Sequence, residues 1–264
     1  MNIAVCIKQV PATESKIKPD ANGLDIDRTG LSYVVNPYDE FGVEEALKIK
    51  EGLNVETVTV ITIGPDKAAE ALRTCLAVGA DQAIHIKDDA LMGGDAHTIS
   101  RVLAAALKKS DYDIIFFGRQ AIDDDSGAVG IHVAELLGLP HVAGINKFEL
   151  DAEGLKAVAH RQIEGAVEVV ETMLPAIFTC QKELNEPRYA SLPGIMKAKQ
   201  KPLTTWSLAD LSLSPEDVGE DAAKVKVEKI TTPPVREAGK KIEGDLPQAV
   251  SELVRLLREE AKVF

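Results

Sequence analysis

Residues 113–130 read DIIFFGRQAIDDDSGAVG, and this stretch decides the fold class. It passes from a short apolar run typical of a buried strand, Asp113 to Phe117, into a helix predicted from Ser126 to Leu137. The same alternation precedes it, with strands predicted at 3–8, 57–63 and 83–86 and helices at 41–50, 66–78 and 95–109. Such alternation predicts an α/β fold with a mostly parallel sheet flanked by helices.

The pattern changes after Pro140. Residues 156–162 and 167–172 predict two strands around a Glu-Gly turn, hence an antiparallel hairpin added to the sheet, and 176–179 predicts one more short strand. From Lys199 the chain is polar and rich in proline, which indicates an extended arm. We therefore predict an α/β nucleotide-binding domain at 1–198 and a C-terminal arm at 199–264.

The arm ends in a helix predicted at 246–262, where Val250, Leu253, Val254, Leu257 and Ala261 form one apolar stripe. A stripe of this kind must pack on something. It folds back on its own domain or wraps another chain, and the residues alone leave both possibilities open.

Composition narrows the partners. The chain has 264 residues and a formal charge of −12, without a dense Lys/Arg cluster, which argues against nucleic acid or an anionic membrane as the main partner. Its three cysteines are far apart in apolar stretches, so a disulfide framework or zinc site is not expected. No export signal or apolar run of about 20 residues is visible, and we expect a soluble protein of the cytoplasm.

The loop between the strand and the helix of the opening stretch, Gly118 to Gly130, is the best candidate for a ligand site. Ligands bind beyond the carboxyl ends of parallel strands, and a helix start offers free N–H groups to a phosphate. Asp carboxylates would repel a phosphate, so we expect them to face ribose or solvent. In the alternative reading Asp125 or Ser126 caps the helix, and a magnesium site on Asp123 to Asp125 is a weaker third reading.

Other motifs are missing from the sequence. Lys8 to Pro11 stands where a dinucleotide-binding fold needs its glycine-rich turn, and we find no Walker motif, metal-ligand spacing of histidines or assignable nucleophile set. Asn36 to Glu40 forms a second loop, NPYDE, whose Tyr38 either meets a planar cofactor or packs the loop against the domain.

Taken together these segments resemble the β subunit of electron transfer flavoproteins. The stretch 184–199, LNEPRYASLPGIMKAK, is similar to that family's partner-recognition loop almost letter for letter. Residues 118–129 resemble its nucleotide loop, NPYD at 36–39 its second nucleotide segment, and RQIEG at 161–165 through PAIFT at 175–179 its signature. The similarity spans nearly the whole chain.

The resemblance implies an adenine-nucleotide-binding, Rossmann-like domain that pairs with an α subunit holding the redox FAD. It implies an electron carrier without catalytic residues of its own, which takes electrons from flavin-dependent dehydrogenases of the acyl-CoA type and passes them to a membrane-side quinone oxidoreductase. Tyr38 would lie against the flavin ring, and the arm would embrace the α subunit. The resemblance places an AMP site on Cys6, Asn36, Pro37, Tyr38, Asp39, Ile63, Gly118, Arg119, Gln120, Ala121, Ile122, Asp123, Asp124, Asp125, Ser126, Gly127, Ala128 and Val129. It places dehydrogenase docking on Leu192, Pro193, Ile195 and Met196.

One branch of the family bifurcates electrons and holds a second FAD where others hold AMP. Here CIKQVP at 6–11 and NPYD at 36–39 resemble that branch, whereas the segments 94–100 and 124–126 and the recognition loop do not. We therefore favour AMP over a second FAD. Rivals from other classes are an adenylating enzyme, which would need a Ser/Gly-rich loop after the first strand, and a nucleotide-binding regulatory module, which would leave residues 184–199 unexplained.

Overall fold

The computed structural model describes residues 1–53, 55–151, 153, 155–235 and 238–264. The strands are β1 (Asn2–Cys6), β2 (Gln9–Pro11), β3 (Tyr33–Val35), β4 (Thr57–Ile63), β5 (Gln82–Ile86), β6 (Ile114–Gly118), β7 (His141–Leu150), β8 (Lys156–Ile163), β9 (Ala166–Met173), β10 (Ala176–Cys180) and β11 (Leu203–Trp206). The helices are α1 (Pro37–Gly52), α2 (Ala69–Val78), α3 (Ala96–Leu107), α4 (Val129–Leu137), α5 (Leu192–Ala198), α6 (Gly219–Ala222) and α7 (Leu246–Glu259), with short 3₁₀ turns between some of them.

The main sheet has the strand order β11-β5-β4-β1-β6-β10-β7-β8-β9. Every neighbouring pair from β11 to β7 is parallel, and β8 and β9 continue the sheet as an antiparallel hairpin. The chain runs outward from β1 through β4 to β5, then crosses back to β6 on the other side of β1. This confirms the predicted α/β class, the parallel sheet and the added hairpin.

Helices cover both faces of the parallel strands, which explains their continuous apolar sequences. Successive side chains of a strand point to opposite faces. Accordingly Ile3 and Val5 belong to a core that contains α1 and α2, while Ala4 and Cys6 belong to a second core with α3 and α4. The strand β1 is therefore buried on both sides, and its carboxyl end is held rigidly.

Four of the strands, β2, β3, β7 and β11, were not predicted. The long strand β7 contains polar residues and Gly144 at φ +69°, so it lacks an apolar run and is defined by its pairing with β10 and β8. Residues 203–206, expected in an extended arm, pair as β11 with β5. The small ladder of β2 and β3 joins segments more than 20 residues apart. Such pairings depend on contacts that are distant in sequence.

The chain forms two compact units in the described part. The first contains Met1–Ile17 and Asp27–Glu228, and the second contains Lys18–Ile26 and Lys229–Phe264. In the second unit, Ile230 N donates to Gly23 O at 2.7 Å, and α7 carries the predicted apolar stripe. The functional boundary predicted after residue 198 stays a prediction. Among the described residues, no helix has the length and apolar character needed to cross a bilayer.

Candidate functional site

A cavity of about 310 Å³ opens where β1, β4 and β6 end. Cys6, Ile63 and Gly118, the last residues of these three neighbouring strands, line it together with the starts of α3 and α4. The chain reverses its direction of winding between β4 and β6, and ligands of open α/β sheets bind at such a reversal. The cavity therefore lies where the fold favours a nucleotide.

The side chain of Asn36 holds the 118–129 loop in place by hydrogen bonds to the loop backbone. It is almost fully buried, its Nδ2 donates to Gln120 O at 2.9 Å, and its Oδ1 accepts from Ile122 N at 3.1 Å. Both amide groups are used by the loop backbone. Asn36 lies outside the cavity lining, so its role in the structure is to shape the loop.

Asp39, in the first turn of α1, joins two strand ends. One carboxylate oxygen accepts from Lys8 N at 2.7 Å and the other from Gly118 N at 2.9 Å. Burial raises the pKa of Asp39 to about 7, although these hydrogen bonds favour the charged form and act in the opposite direction. A buried carboxyl group with a pKa near neutrality thus lies at the cavity wall.

Gly118 is required by the approach of α1. A Cβ atom at this position would stand 2.2 Å from Asp39 Oδ1 and 2.8 Å from Tyr38 Cβ. These are distances that no side chain tolerates. The glycine lets the first turn of α1 lie directly against the end of β6, which is where Asp39 reaches its backbone donors.

Lys8 forms ion pairs with two aspartates of the 118–129 loop, a contact that no local sequence pattern predicts. Its Nζ lies 2.8 Å from Asp123 Oδ1 and 3.0 Å from Asp124 Oδ2. Burial opposes the charge of Lys8, but the two carboxylates outweigh burial and raise the pKa of its ammonium group. These aspartates therefore face a lysine and are already paired, which weakens the magnesium reading further.

The helix α4 begins later than predicted. Asp125 has φ +53° and Gly127 φ +60°, and this left-handed backbone cannot enter a helix, so α4 starts at Val129 instead of Ser126. The cap position is Ala128, which has no side-chain acceptor. Neither Asp125 nor Ser126 caps the helix, so the first N–H groups of α4 remain available to an anion in the cavity.

The start of α3 forms the facing wall and was not predicted to line the site. Asp95 caps α3 through an oxygen that accepts from Thr98 N at 3.0 Å. Its other oxygen accepts from Lys224 N and Val225 N. Although burial acts to raise it, these hydrogen bonds keep the pKa of Asp95 below its ordinary value. The aspartate before a predicted helix was a visible capping signal, but its position at the cavity depends on the sheet order.

The structure brings most of the predicted cofactor residues to one cavity. Those that line it are Cys6, Asp39, Ile63, Gly118, Arg119, Gln120, Ala121, Asp124, Ser126, Gly127, Ala128 and Val129. Those outside the lining are Asn36, Pro37, Tyr38, Ile122, Asp123 and Asp125. The lining also includes Gly130, the last residue of the predicted loop, and residues that sequence reasoning missed, which are Ile7, Lys8, Gly94, Asp95, Ala96, Ile99, Leu103 and Phe117. Several of the missed residues are apolar, and they give the cavity a wall suited to the planar ring of a nucleobase.

Residues 184–199, called the docking segment below, lie on the surface of the first unit. Leu192 was predicted on a loop, but the structure places it at the first position of α5, which Ser191 caps by accepting from Gly194 N at 3.1 Å. Leu192 is 75% exposed, and Pro193, Ile195 and Met196 are exposed beside it. The segment therefore presents a small apolar surface, as docking would require.

Comparison with known proteins agrees with this geometry. The family model described as "Electron transfer flavoprotein domain" matches residues 23–211. Over the full length of both chains, the protein is 44% identical to the electron transfer flavoprotein subunit beta of Bacillus subtilis. The chain belongs to the electron transfer flavoprotein β-subunit family. It is also 41% identical to the caffeyl-CoA reductase-Etf complex subunit CarD of Acetobacterium woodii, over 98% of each chain. A further relative is the subunit beta of Methylophilus methylotrophus, at 38% identity over 98% of each chain.

Membership of this family confirms the resemblance read from the sequence motifs. It implies an electron carrier that works as a heterodimer with an α subunit, with flavin and nucleotide bound in the complex. The cavity walls fit a nucleotide, because an uncapped helix start and an apolar surface line the same space.

Proposed function

We propose that this chain is the scaffold and docking subunit of an electron carrier, and that its own ligand is AMP. The observation that carries the proposal is the cavity at the ends of β1, β4 and β6. Its volume, about 310 Å³, is at the lower end of the roughly 300–1,000 Å³ that is usual for small-molecule sites. That size suits a mononucleotide better than FAD, which contains a second nucleotide.

The residues around AMP would divide the work. The uncapped N–H groups of α4 would receive the phosphate, while Ile63, Ile99 and Leu103 offer an apolar surface to the adenine. Asn36 and Asp39 would hold the loop in place. Asn36 would do so from outside the cavity, whereas Asp39 also lines it. AMP in this role would supply structural support.

The redox flavin would belong mainly to the α subunit, with the ring of Tyr38 against it. FAD bound there supplies the electron-accepting and electron-donating chemistry. This chain would contribute the docking segment, which receives an acyl-CoA dehydrogenase or a similar flavin-dependent donor, and the electrons would leave to a membrane-associated quinone oxidoreductase. The protein would work in a bacterial or archaeal cytoplasm, in pathways such as fatty acid oxidation.

The second candidate is a β subunit of an electron-bifurcating complex, with a second FAD in the cavity. The stretches 6–11 and 36–39 favour it because they resemble that branch. A second FAD would need the cavity to extend beyond its present volume, which is why AMP is preferred.

Nucleotide content decides between these candidates. We expect the chain, co-expressed and purified with the α subunit encoded beside it, to yield one FAD and one AMP per heterodimer on chromatography of the released ligands. Two FAD and no AMP would establish the bifurcating type. A colourless monomer that hydrolyses ATP would contradict both and favour an adenylate-using enzyme.

The docking role is tested at Leu192. We expect Leu192→Ala to leave the visible flavin spectrum unchanged and to slow reduction of the heterodimer by the dehydrogenase about tenfold, because truncating a buried apolar anchor at an interface costs more than ~1 kcal/mol. Stopped-flow absorbance measures the rate. Met92→Ala is the matched control, since Met92 is similarly exposed but lies outside the docking segment. Equal rates for both variants would remove Leu192 from the docking role.

A further inference from the structure

The base of the docking segment is tied to α1 by Arg188. Its Nε and Nη2 donate to the two carboxylate oxygens of Glu44, at 2.8 and 2.9 Å, and its backbone N donates to Glu44 Oε2 at 3.1 Å. The guanidinium also binds Glu51, which lies about two helical turns further along α1, with Nη2 at 3.2 Å from Oε2. A single side chain therefore bridges two carboxylates of one helix.

These contacts are partly shielded from solvent. The side chain of Glu44 is 8% exposed and that of Arg188 33% exposed, whereas Glu51 lies mostly in solvent. Next to them, Asn185 donates to Glu45 Oε2 at 2.8 Å and to Phe41 O at 2.9 Å. Bidentate, charge-assisted bonds to a shielded carboxylate fix geometry better than exposed ion pairs do.

The far end of the segment is fixed to α2 by reciprocal contacts. Arg73 of α2 donates to Ala198 O at 2.7 Å and Lys201 O at 3.1 Å. In return, Lys201 Nζ donates to Leu76 O and Ala80 O, at the end of α2. Between these anchors, Gly194 lies so close that a Cβ atom would stand 2.3 Å from Ala77 O. The segment between residues 188 and 198 is thus held at both ends.

We propose that Arg188 is a positioning residue that holds the docking segment in its binding geometry before the dehydrogenase arrives. The proposal rests on the docking function proposed above and adds how that function is prepared. Ordering a mobile segment at the moment of association reduces affinity, so a segment ordered in advance binds more tightly through the same apolar contacts. In this proposal Arg188 acts through Leu192 and its neighbours, by way of its contacts with α1, and it is assigned no contact with flavin or substrate.

Hydrogen–deuterium exchange of the purified heterodimer with FAD bound tests the positioning directly. In Arg188→Ala, the backbone amides of residues 189–198 should exchange roughly tenfold to hundredfold faster, as expected when hydrogen bonds to charged groups are lost. Arg101→Ala is the matched control. Arg101 is 34% exposed and pairs with Asp217 at 2.7 Å in the same unit, away from the docking segment. It should leave exchange at 189–198 unchanged.

Steady-state reduction by an acyl-CoA dehydrogenase supplies the second measurement. In Arg188→Ala we expect the half-saturating concentration of the heterodimer to rise about fivefold to tenfold, with the limiting rate within about twofold of wild type, because only the population of the competent segment changes. Arg188→Lys keeps the charge without the bidentate geometry and should recover little. Glu51→Gln removes an exposed partner, keeps the protein folded, and should give an intermediate increase in exchange.

Unchanged exchange at 189–198 in both Arg188→Ala and Glu51→Gln would overturn the proposal. Faster exchange with an unchanged half-saturating concentration would also overturn it, because order in the segment would then be irrelevant to docking. Failure of the docking function itself looks different. In that case Leu192→Ala would leave half-saturation unchanged, while Arg188→Ala would still accelerate exchange.

Discussion

Asp39 combines two demands that are hard to reconcile at one residue. It is buried, which favours the neutral acid, and both its oxygens accept backbone N–H groups, which favours the carboxylate. Burial dominates and places the pKa at about 7. Because the pair of acceptors joins β1 to β6, the protonation state of this residue bears on the geometry of the cavity wall.

The raised pKa predicts a particular pH dependence of stability. Between the ordinary pKa of an aspartate, 3.8, and about 7, the folded protein retains a proton on Asp39 that the unfolded chain has lost. The folded state is therefore progressively destabilised as the pH rises through this window, and the effect is constant above it. Relative to Asp39→Asn, the wild-type heterodimer should lose about 2 kcal/mol of unfolding free energy between pH 5 and pH 7.

Urea denaturation of both proteins at pH 5, 6, 7 and 8 measures this difference. Asp39→Asn serves as the reference for the wild type, because an amide does not titrate and the loss of one acceptor lowers the unfolding free energy by an amount that does not vary with pH. A difference that stays constant across the series would show that the pKa of Asp39 is not raised into this range, and a difference that grows in favour of the wild type as the pH rises would contradict the predicted sign.

Individual residues also show where sequence reasoning stops. Gly118 and Gly127 could be placed near a ligand from their position after a predicted strand, whereas Asp39 was placed there only by the family resemblance. The partner of Asn36 is 84 residues away and that of Lys8 is 115 residues away. Neither pairing leaves a local pattern, so neither the ion pairs of Lys8 nor the hydrogen bonds of Asn36 to the loop are predicted from the sequence.

Among the secondary-structure elements, the contact between α1 and β6 is the tightest near the cavity. At Gly42, in the second turn of α1, a Cβ atom would stand 3.2 Å from Phe116 Cβ, and at Gly118 it would overlap Asp39. The helix thus lies on the strand along two glycine positions. This close approach brings the start of α1 to the same edge as the ends of β1 and β6.

Replacing Gly118 tests this packing. Gly118→Ala should displace the first turn of α1, lower the unfolding free energy by ~2 kcal/mol, as overpacking usually does, and reduce the AMP recovered with the heterodimer. Gly52→Ala is the matched control, because Gly52 ends the same helix with no atom near its would-be Cβ. Denaturation and ligand analysis of the two variants provide the comparison. Full AMP content in Gly118→Ala would show that the contact does not shape the cavity.

Elements with a strong local pattern were predicted well. The apolar runs of β4 and β10 and the one-sided helices α2 and α3 follow from burial between two layers, which the sequence expresses directly. The start of α4 was wrong by three residues because left-handed backbone at Asp125 leaves no compositional trace. The strand β7 was missed because its order comes from neighbouring strands; the ring of Phe148 in β7, for example, packs with its centroid 4.9 Å from that of Phe178 in β10.

At the scale of the whole molecule, we propose that the second unit offers a surface for the α subunit. Val250, Leu253 and Val254 of α7 are between 39% and 54% exposed, and they share one side of the helix. An apolar stripe of this kind marks an interaction site when it belongs to a subunit of a heterodimer.

A charge in the stripe should therefore weaken assembly. We expect Leu253→Asp to raise the dissociation constant of the heterodimer at least tenfold, because a carboxylate would be buried against apolar atoms. Ser251→Asp adds the same charge at an exposed position of α7 off the stripe and should have little effect. Sedimentation velocity over a dilution series measures both. Identical dissociation constants would place the interface elsewhere.

The way the docking segment is attached has a consequence for how such carriers diversify. Asn185 and Arg188 bind α1, Gly194 lies against α2, and Lys201, just beyond the segment, also binds α2. The side chains of Leu192, Ile195 and Met196 are exposed to solvent instead. The residues that attach the segment to its own domain are thus different from the residues that it exposes to a partner. If the segment docks the donor enzyme as proposed, changing the exposed residues alone would change the donor, and the whole segment could be exchanged between relatives that keep the anchoring residues.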